Sequence, residues 1–153
     1  MHKTIKTVLR FLIAFILVLP MLTSGSRRFI LAADRYQNMI NCDIHKGSCK
    51  KNLTTDCSIT LEVDPKPVKA MADLQFTITL SGTFTAEVNA AYIDLGMPGM
   101  QMGPNRVMLQ SVRPGVYEGH GIIVRCPSGR RIWQATVTVP DIGQAVFIFD
   151  VVY

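Results

Sequence analysis

Apolar and polar residues alternate with a period of two along the second two-thirds of the chain, which is typical of half-buried β-strands. The clearest run covers residues 133–139, where Trp133, Ala135, Val137 and Val139 alternate with polar side chains. Seven such segments predict strands, over residues 59–64, 74–81, 87–95, 106–112, 116–125, 133–139 and 145–152. Trp133 falls on the inward face of its segment, and we expect it to anchor the core.

Turn-forming residues separate the predicted strands, and no stretch has the period of a helix. Pro65 and Pro67 end the first strand, and Pro114-Gly115 and Pro140 mark later turns. Short strands joined in this way predict an all-β fold, an immunoglobulin-like antiparallel β-sandwich of about seven strands over residues 58–153. A small closed barrel is the alternative. Residues 34–57 have no apolar period and are predicted to form an irregular, cysteine-containing segment on the surface.

The chain begins with a basic and then apolar segment, which predicts an N-terminal signal or membrane anchor over residues 1–33. Lys3, Lys6 and Arg10 precede residues 11–22, which carry no charge. The apolar stretch is about 15 residues long, shorter than the roughly 20 that span a bilayer, which favours a cleaved signal peptide over a retained anchor without excluding the anchor. Either outcome places the remaining chain outside the cytoplasmic membrane, in the periplasm or an equivalent extracytoplasmic compartment, with membrane attachment through this segment if it is uncleaved.

Net charge gives little support to nucleic-acid binding. The formal charge is +5, but three of the basic residues precede the apolar segment of the leader. No basic stripe interleaved with aromatic residues follows, so we expect no nucleic-acid partner.

Four cysteines in an exported chain favour disulfide bonds. Cys42 and Cys49 enclose six residues and would pin a tight loop. Cys57 and Cys126 both lie at predicted strand ends, so a long-range bridge between them is also expected. The alternative is a metal or redox site formed by Cys42, His45 and Cys49, although this spacing does not match that of common zinc sites.

The segment of residues 97–103, which we call the Met loop, is the strongest candidate for function. It holds Met97, Met100 and Met102 among glycine and proline residues, in a stretch that cannot form a regular element. Thioether sulfur is a soft, neutral ligand that suits Cu(I), and His120 is a possible imidazole ligand. The alternative is that the methionines plug the open end of the sandwich or form an adhesive surface, since methionine fills irregular gaps.

Catalytic chemistry finds no support among the other residues. The only histidines are His2, His45 and His120, which make no credible Ser/His/Asp order, and no glycine-rich phosphate loop precedes a helix. We therefore predict a protein that is not an enzyme.

The chain from the Met loop onward resembles the YtkA-like or FixH-like family of exported bacterial domains, closely over about 50 residues and more loosely over about 95. The matching motifs are Met100-x-Met102-Gly103-Pro104-Asn105-Arg106-Val107, Gly115-x-Tyr117-x-Gly119-x-Gly121 and Cys126-x-Ser128-Gly129-x3-Trp133-x-Ala135-x-Val137. The resemblance implies an exported or membrane-anchored immunoglobulin-like domain. Some members of that family are tied to cytochrome oxidase maturation or copper supply, which implies Cu(I) as a ligand.

Two functions are therefore expected. The first is binding or passing Cu(I) through the Met loop. The second is a non-catalytic interaction module that uses the same loop to dock on a respiratory or assembly complex of the membrane.

Overall fold

The computed structural model describes residues 37–83 and 90–153. The predicted leader over residues 1–33 and the first residues of the third predicted strand lie outside these ranges. Residues Met39–Tyr153 belong to one compact unit. Within the described ranges, no helix reaches the length and hydropathy that a bilayer crossing requires.

The described residues form nine strands in two antiparallel sheets. The strands are β1 (Cys49–Asn52), β2 (Cys57–Asp64), β3 (Asp73–Gly82), β4 (Tyr92–Gly96), β5 (Arg106–Met108), β6 (Gln110–Arg113), β7 (Val116–Ile122), β8 (Ile132–Val139) and β9 (Gly143–Asp150). One sheet has five strands in the order β1-β2-β3-β7-β6, and the other has four in the order β5-β4-β8-β9. The prediction of an all-β, antiparallel fold is confirmed.

A single hydrophobic core is built from the inward residues of both sheets. The alternating positions of β2, β3, β8 and β9 supply its largest side chains, and Trp133, Phe76, Phe147 and Phe149 are all 0% exposed. Each such side chain contributes about 1.5–3 kcal/mol by leaving water. The predicted role of Trp133 as a core anchor is confirmed.

The chain crosses between the sheets at Leu109, where the sequence predicts one continuous strand. The prediction of a single strand over residues 106–112 is wrong, because β5 pairs with β4 in one sheet and β6 pairs with β7 in the other. Leu109 is buried, and its N–H donates to the carbonyl of Ala91 at 3.0 Å. Since Val107 and Leu109 both face inward, the alternation continues through the crossing and conceals it.

The cysteine segment belongs to the sandwich. Residues 49–52 form β1, so the prediction of irregular structure is wrong for this part. Cys42 and Ile44 are buried in the common core. The N–H groups of Asn41 and Cys42 donate to the carbonyl of Ile148 on β9, at 3.0 and 3.2 Å. The segment therefore closes one side of the core.

Cys42 and Cys49 form a disulfide, as predicted. The bond consumes both thiolates that the alternative metal site would use. His45, the third member of that site, has a structural role: its Nδ1 accepts a hydrogen bond from the N–H of Val68 at 3.1 Å. Its Nε2 lies 3.4 Å from a carboxylate oxygen of Asp150.

Cys57 and Cys126 are both buried free thiols, against the expectation of a bridge between them. Both lie near strand ends, but the ends are opposite. Cys57 begins β2 and pairs with Gly82, whereas Cys126 follows the end of β7 that pairs with Asp73. Strands β2 and β3 separate these positions by about 20–25 Å, given a rise of about 3.3 Å per residue, so no disulfide can join them.

The strand directions bring the Met loop, two other connections and the chain after β9 to one end of the sandwich, which we call the Met-loop end. Gly96, at the end of β4, pairs with Gln134 near the start of β8. The side-chain amide of Asn105 then donates to the carbonyl of Ile122 at 3.2 Å and joins the two sheets. The connections β2–β3 and β7–β8 and the chain after β9 also lie at this end.

Candidate functional site

The Met loop begins with a tight turn. The N–H of Met100 donates to the carbonyl of Met97 at 3.1 Å, and the two residues form an antiparallel bridge. Pro98 and Gly99 occupy the central positions, and Gly99 has a φ of 68°. Proline at the first central position and a positive φ at the second are the features of a type II turn, in which glycine avoids strain. The loop is thus ordered by its own sequence.

The turn places the side chains of Met97 and Met100 next to each other. Residues directly opposite each other in an antiparallel bridge project to the same face, with Cβ atoms about 4.5–5.5 Å apart. Met97 is 4% exposed and belongs to the core, whereas Met100 is 37% exposed. Met102 is half-buried and packs against the core from outside. The three thioethers therefore run from the interior to the surface.

Met97 continues the inward alternation of β4 towards Trp133. Gly96 pairs with Gln134, so one further step of the same register sets Met97 opposite Trp133. Both residues are buried. The indole Nε1 of Trp133 is also buried and has no hydrogen-bond partner among the described residues. Met97 therefore fills the end of the core, as the alternative interpretation of the loop expected for all three methionines.

The structure does not bring His120 together with the buried side chain of Met97. In β7, Gly119 and Gly121 face the other sheet, while His120 projects from the outer surface with a side chain 66% exposed. Its Nδ1 lies 3.7 Å from a carboxylate oxygen of Asp73. Met97 lies between the sheets, so the alternation of β7 turns the imidazole away from it. Of the four candidate Cu(I) ligands, Met97, Met100 and Met102 remain.

Arg130 attaches the turn to the connection between β7 and β8. Its guanidinium Nη2 donates to the carbonyl of Pro98 at 2.7 Å. Four residues earlier, the carbonyl of Cys126 accepts from the N–H of Gly129 at 2.9 Å and closes a second turn. Two hydrogen bonds of Tyr153 hold this second turn. Its hydroxyl accepts from the N–H of Cys126 and donates to the carbonyl of Arg130.

Cys126 is a free thiol that sequence analysis assigned to a disulfide. Its sulfur lies 3.0 Å from the hydroxyl oxygen of Ser128. This hydrogen bond lowers the pKa of the Cys126 thiol below its usual value, with smaller contributions in the same direction from backbone N–H groups and the charge of Arg130. The signal in the sequence was the turn motif Cys-Pro-Ser-Gly, which follows a strand and places a hydroxyl two residues after the thiol.

Among residues 37–83 and 90–153, no group of three or more His, Cys, Asp or Glu side chains is arranged to hold a metal ion. The soft donors of the Met loop and the β7–β8 connection are of a different kind, three thioethers and the Cys126 thiol. These donors lie on two turns that Arg130 joins. The pair of turns is the most distinctive chemical feature of the described residues.

Comparison of the chain with protein-family models, with curated proteins and with solved structures found no significant match.

Proposed function

We propose that this chain is an extracytoplasmic, immunoglobulin-like β-sandwich domain that binds or passes Cu(I) through the Met loop. The observation that carries the proposal is the pairing of Met97 and Met100 across a type II turn, with Met102 packed beside the same end of the core. The Cys42–Cys49 disulfide is consistent with an oxidising compartment outside the cytoplasm. The resemblance of the chain from the Met loop onward to a family of exported domains, some members of which are tied to copper supply, supports the same function.

The three thioethers differ in burial, from Met97 in the core to Met100 on the surface. Such an arrangement suits a soft ion that must be both bound and released. Cu(I) prefers sulfur ligands, and neutral thioethers hold it without forming disulfides in an oxidising compartment. Met100 is accessible, so the ion would enter on this side and would be shielded from water by the buried side chain of Met97. The hydrogen bond from Arg130 to Pro98 preorganises the turn and lowers the ordering cost of binding.

A competition titration against a Cu(I) chelator tests this proposal. The variant Met97→Leu/Met100→Leu/Met102→Leu removes three sulfur atoms at nearly constant side-chain volume, so the fold should be retained. We expect it to lose Cu(I) to the chelator at a concentration at which the unmodified chain retains it. The matched control is Met39→Leu/Met71→Leu/Met108→Leu, which removes three exposed thioethers that lie outside the Met loop. Equal retention by the two triple variants would contradict the proposal.

A separate comparison controls for the Cys126 thiol, because free thiols also bind Cu(I). Both triple variants are compared again with Cys57→Ser and Cys126→Ser added. If the two triple variants retain Cu(I) equally once both thiols have been replaced, the methionines alone do not form the site.

A second candidate function is an interaction module that docks on a membrane complex through the Met loop. The exposure of Met100 at the tip of an ordered turn favours it, since a rigid apolar side chain binds a partner at a low entropic cost. Binding to detergent-solubilised membrane complexes, compared between Met100→Ser and the control Met108→Ser, tests this candidate. Loss of binding in both variants, or in neither, would contradict docking through the loop.

A further inference from the structure

A second surface at the Met-loop end is formed by exposed apolar side chains from two connections. Met71, Ile122 and Val124 are 66%, 47% and 41% exposed. The N–H of Met71 donates to the carbonyl of Ile123 at 2.8 Å, which fixes the two segments side by side. Ile123 itself is fully buried. Ile122 and Val124 therefore project outward on either side of it, next to Met71.

Two cations border this apolar cluster. Lys69 is two residues before Met71 and pairs with Val152 in a parallel bridge, and Arg125 directly follows Val124. Both are exposed, and within the described residues neither lies within ion-pair distance of a carboxylate. The guanidinium of Arg125 lies 5.4 Å from the ring centroid of Tyr153, which holds it at this end of the molecule. Asp73, the register partner of Ile122, carries an exposed carboxylate that lies 3.7 Å from Nδ1 of His120.

We propose that this surface, formed by Met71, Ile122 and Val124 with Lys69 and Arg125, docks the domain on an anionic lipid bilayer. Apolar side chains at a loop tip enter the boundary between headgroups and acyl chains, and flanking cations bind anionic headgroups. The proposal is independent of the Cu(I) function, because none of these five residues belongs to the Met loop.

The size of the cluster favours a lipid surface over a protein partner. A stable protein interface buries about 800 Å² on each side, and three side chains of this size cannot supply that area. A few apolar groups suffice, however, for a domain that is already held near a membrane, since attachment at a second point becomes intramolecular. The basic and apolar leader predicted over residues 1–33 would supply that first attachment.

The conformation of Met71 supports an exposed role. Its φ is 62°, in the left-handed region that non-glycine residues rarely adopt. A side chain is thus presented at the tip of the connection in spite of a conformational cost. Methionine is unbranched and flexible, which suits insertion into a fluid apolar layer.

Methionine oxidation by peroxide in the full chain tests the proposal, because it reports on this surface even when the leader also binds lipid. Met71 on the proposed surface is compared with Met108, which is 58% exposed on β5 of the other sheet. The probes are vesicles of phosphatidylglycerol and phosphatidylcholine, and vesicles of phosphatidylcholine alone. Oxidation of each residue is followed by peptide mass spectrometry.

With the anionic vesicles, we expect the oxidation rate of Met71 to fall several-fold while that of Met108 stays unchanged. In Lys69→Gln/Arg125→Gln the protection should be lost, whereas Lys50→Gln/Arg113→Gln, which removes two exposed cations elsewhere, should retain it. An unchanged rate at Met71, or equal protection of Met71 and Met108, would overturn the proposal. Equal protection by neutral vesicles would overturn the anionic assignment. Protection without vesicles, accompanied by dimers in sedimentation, would assign the surface to a second copy of the chain instead.

Discussion

The thiol of Cys126 combines burial with a neighbour that favours its charged form. The hydroxyl of Ser128 donates to the thiolate, and this is the largest cause of its lowered pKa. Because the pKa of the thiol is lower in the folded than in the unfolded protein, the interaction stabilises the fold fully above the unfolded pKa. The contribution is lost as the pH falls through the folded pKa. Any role of this thiol as a thiolate ligand therefore depends on Ser128.

Replacing Ser128 by alanine should raise the pKa of Cys126, because the thiolate loses its hydrogen bond. In a Cys57→Ser background, Cys126 is the only free thiol, since Cys42 and Cys49 are bridged. The titration is followed by thiolate absorbance, as a difference against the variant that also lacks Cys126. The midpoint should move to higher pH in Ser128→Ala and stay in place in Ser111→Ala, an exposed serine of β6. A midpoint that does not move would show that Ser128 does not stabilise the thiolate, and a midpoint that moves to lower pH would show that its hydroxyl accepts from the thiol instead.

Gly121 is required by the close approach of β7 and β5. A Cβ atom at this position would lie 2.4 Å from Cγ2 of Val107. Gly121→Ala should therefore destabilise the fold by about 1–3 kcal/mol through overpacking. Val107→Ala removes the clashing atom, so the double variant should be more stable than the sum of the two single losses predicts. Urea unfolding followed by Trp133 fluorescence measures all three free energies, and strict additivity would contradict this contact.

Gly119 provides the matched contrast. A Cβ there would lie 2.4 Å from the backbone oxygen of Met108, which no side-chain truncation can remove. Val107→Ala should therefore leave most of the loss in Gly119→Ala uncorrected.

At the scale of the element, the Met loop has a structural part and an exposed part. Met97→Ala should lower the free energy of unfolding by about 2–5 kcal/mol, because it opens a cavity beside Trp133. Met100→Ala should change it by less than about 0.5 kcal/mol, since that side chain is on the surface. Met97→Leu is the control for volume and should cost less than about 1.5 kcal/mol. Equal losses in Met97→Ala and Met100→Ala would contradict this division of the loop.

The sequence predicted strands well where one face of the strand is buried and the other is exposed to solvent. The inward residues of β2, β3 and β8 follow the predicted alternation without a break. Alternation reports which face of a strand is buried, but it does not report which sheet the strand joins. The crossing at Leu109 was missed for that reason, since Val107 and Leu109 face the same core from two sheets.

The candidate site was predictable in composition and only partly in geometry. Three methionines among glycine and proline residues marked a loop, and the structure adds that Met97 and Met100 close a type II turn within it. The position of His120 on the outer surface could not be predicted, because the parity of β7 depends on contacts of Gly119 and Gly121 with β5. The disulfide of Cys42 with Cys49 needs only local spacing, whereas excluding Cys57 and Cys126 as partners needs the direction of β2.

At the scale of the whole molecule, the described residues share one core that runs between two chemically different ends. Cys126 and the Met loop mark one end, and Cys57 marks the opposite end, beside Gly82. The disulfide segment contributes Ile44 to the same core, and hydrogen bonds join it to β9 and to Val68. No described segment has a separate core that could unfold on its own.

The two thiols should therefore become reactive in one cooperative transition, although they lie at opposite ends. Cys57 and Cys126 are 3% and 6% exposed in the folded protein. Alkylation of each is measured by mass spectrometry across a urea series and compared with the fluorescence of Trp133, which is buried in the core near the Met-loop end. Because a single core in a domain of this size unfolds in an all-or-none manner, the three midpoints should coincide. If Cys57 reacts at a lower urea concentration than Cys126, that end opens independently, and the core is less cooperative than its packing indicates.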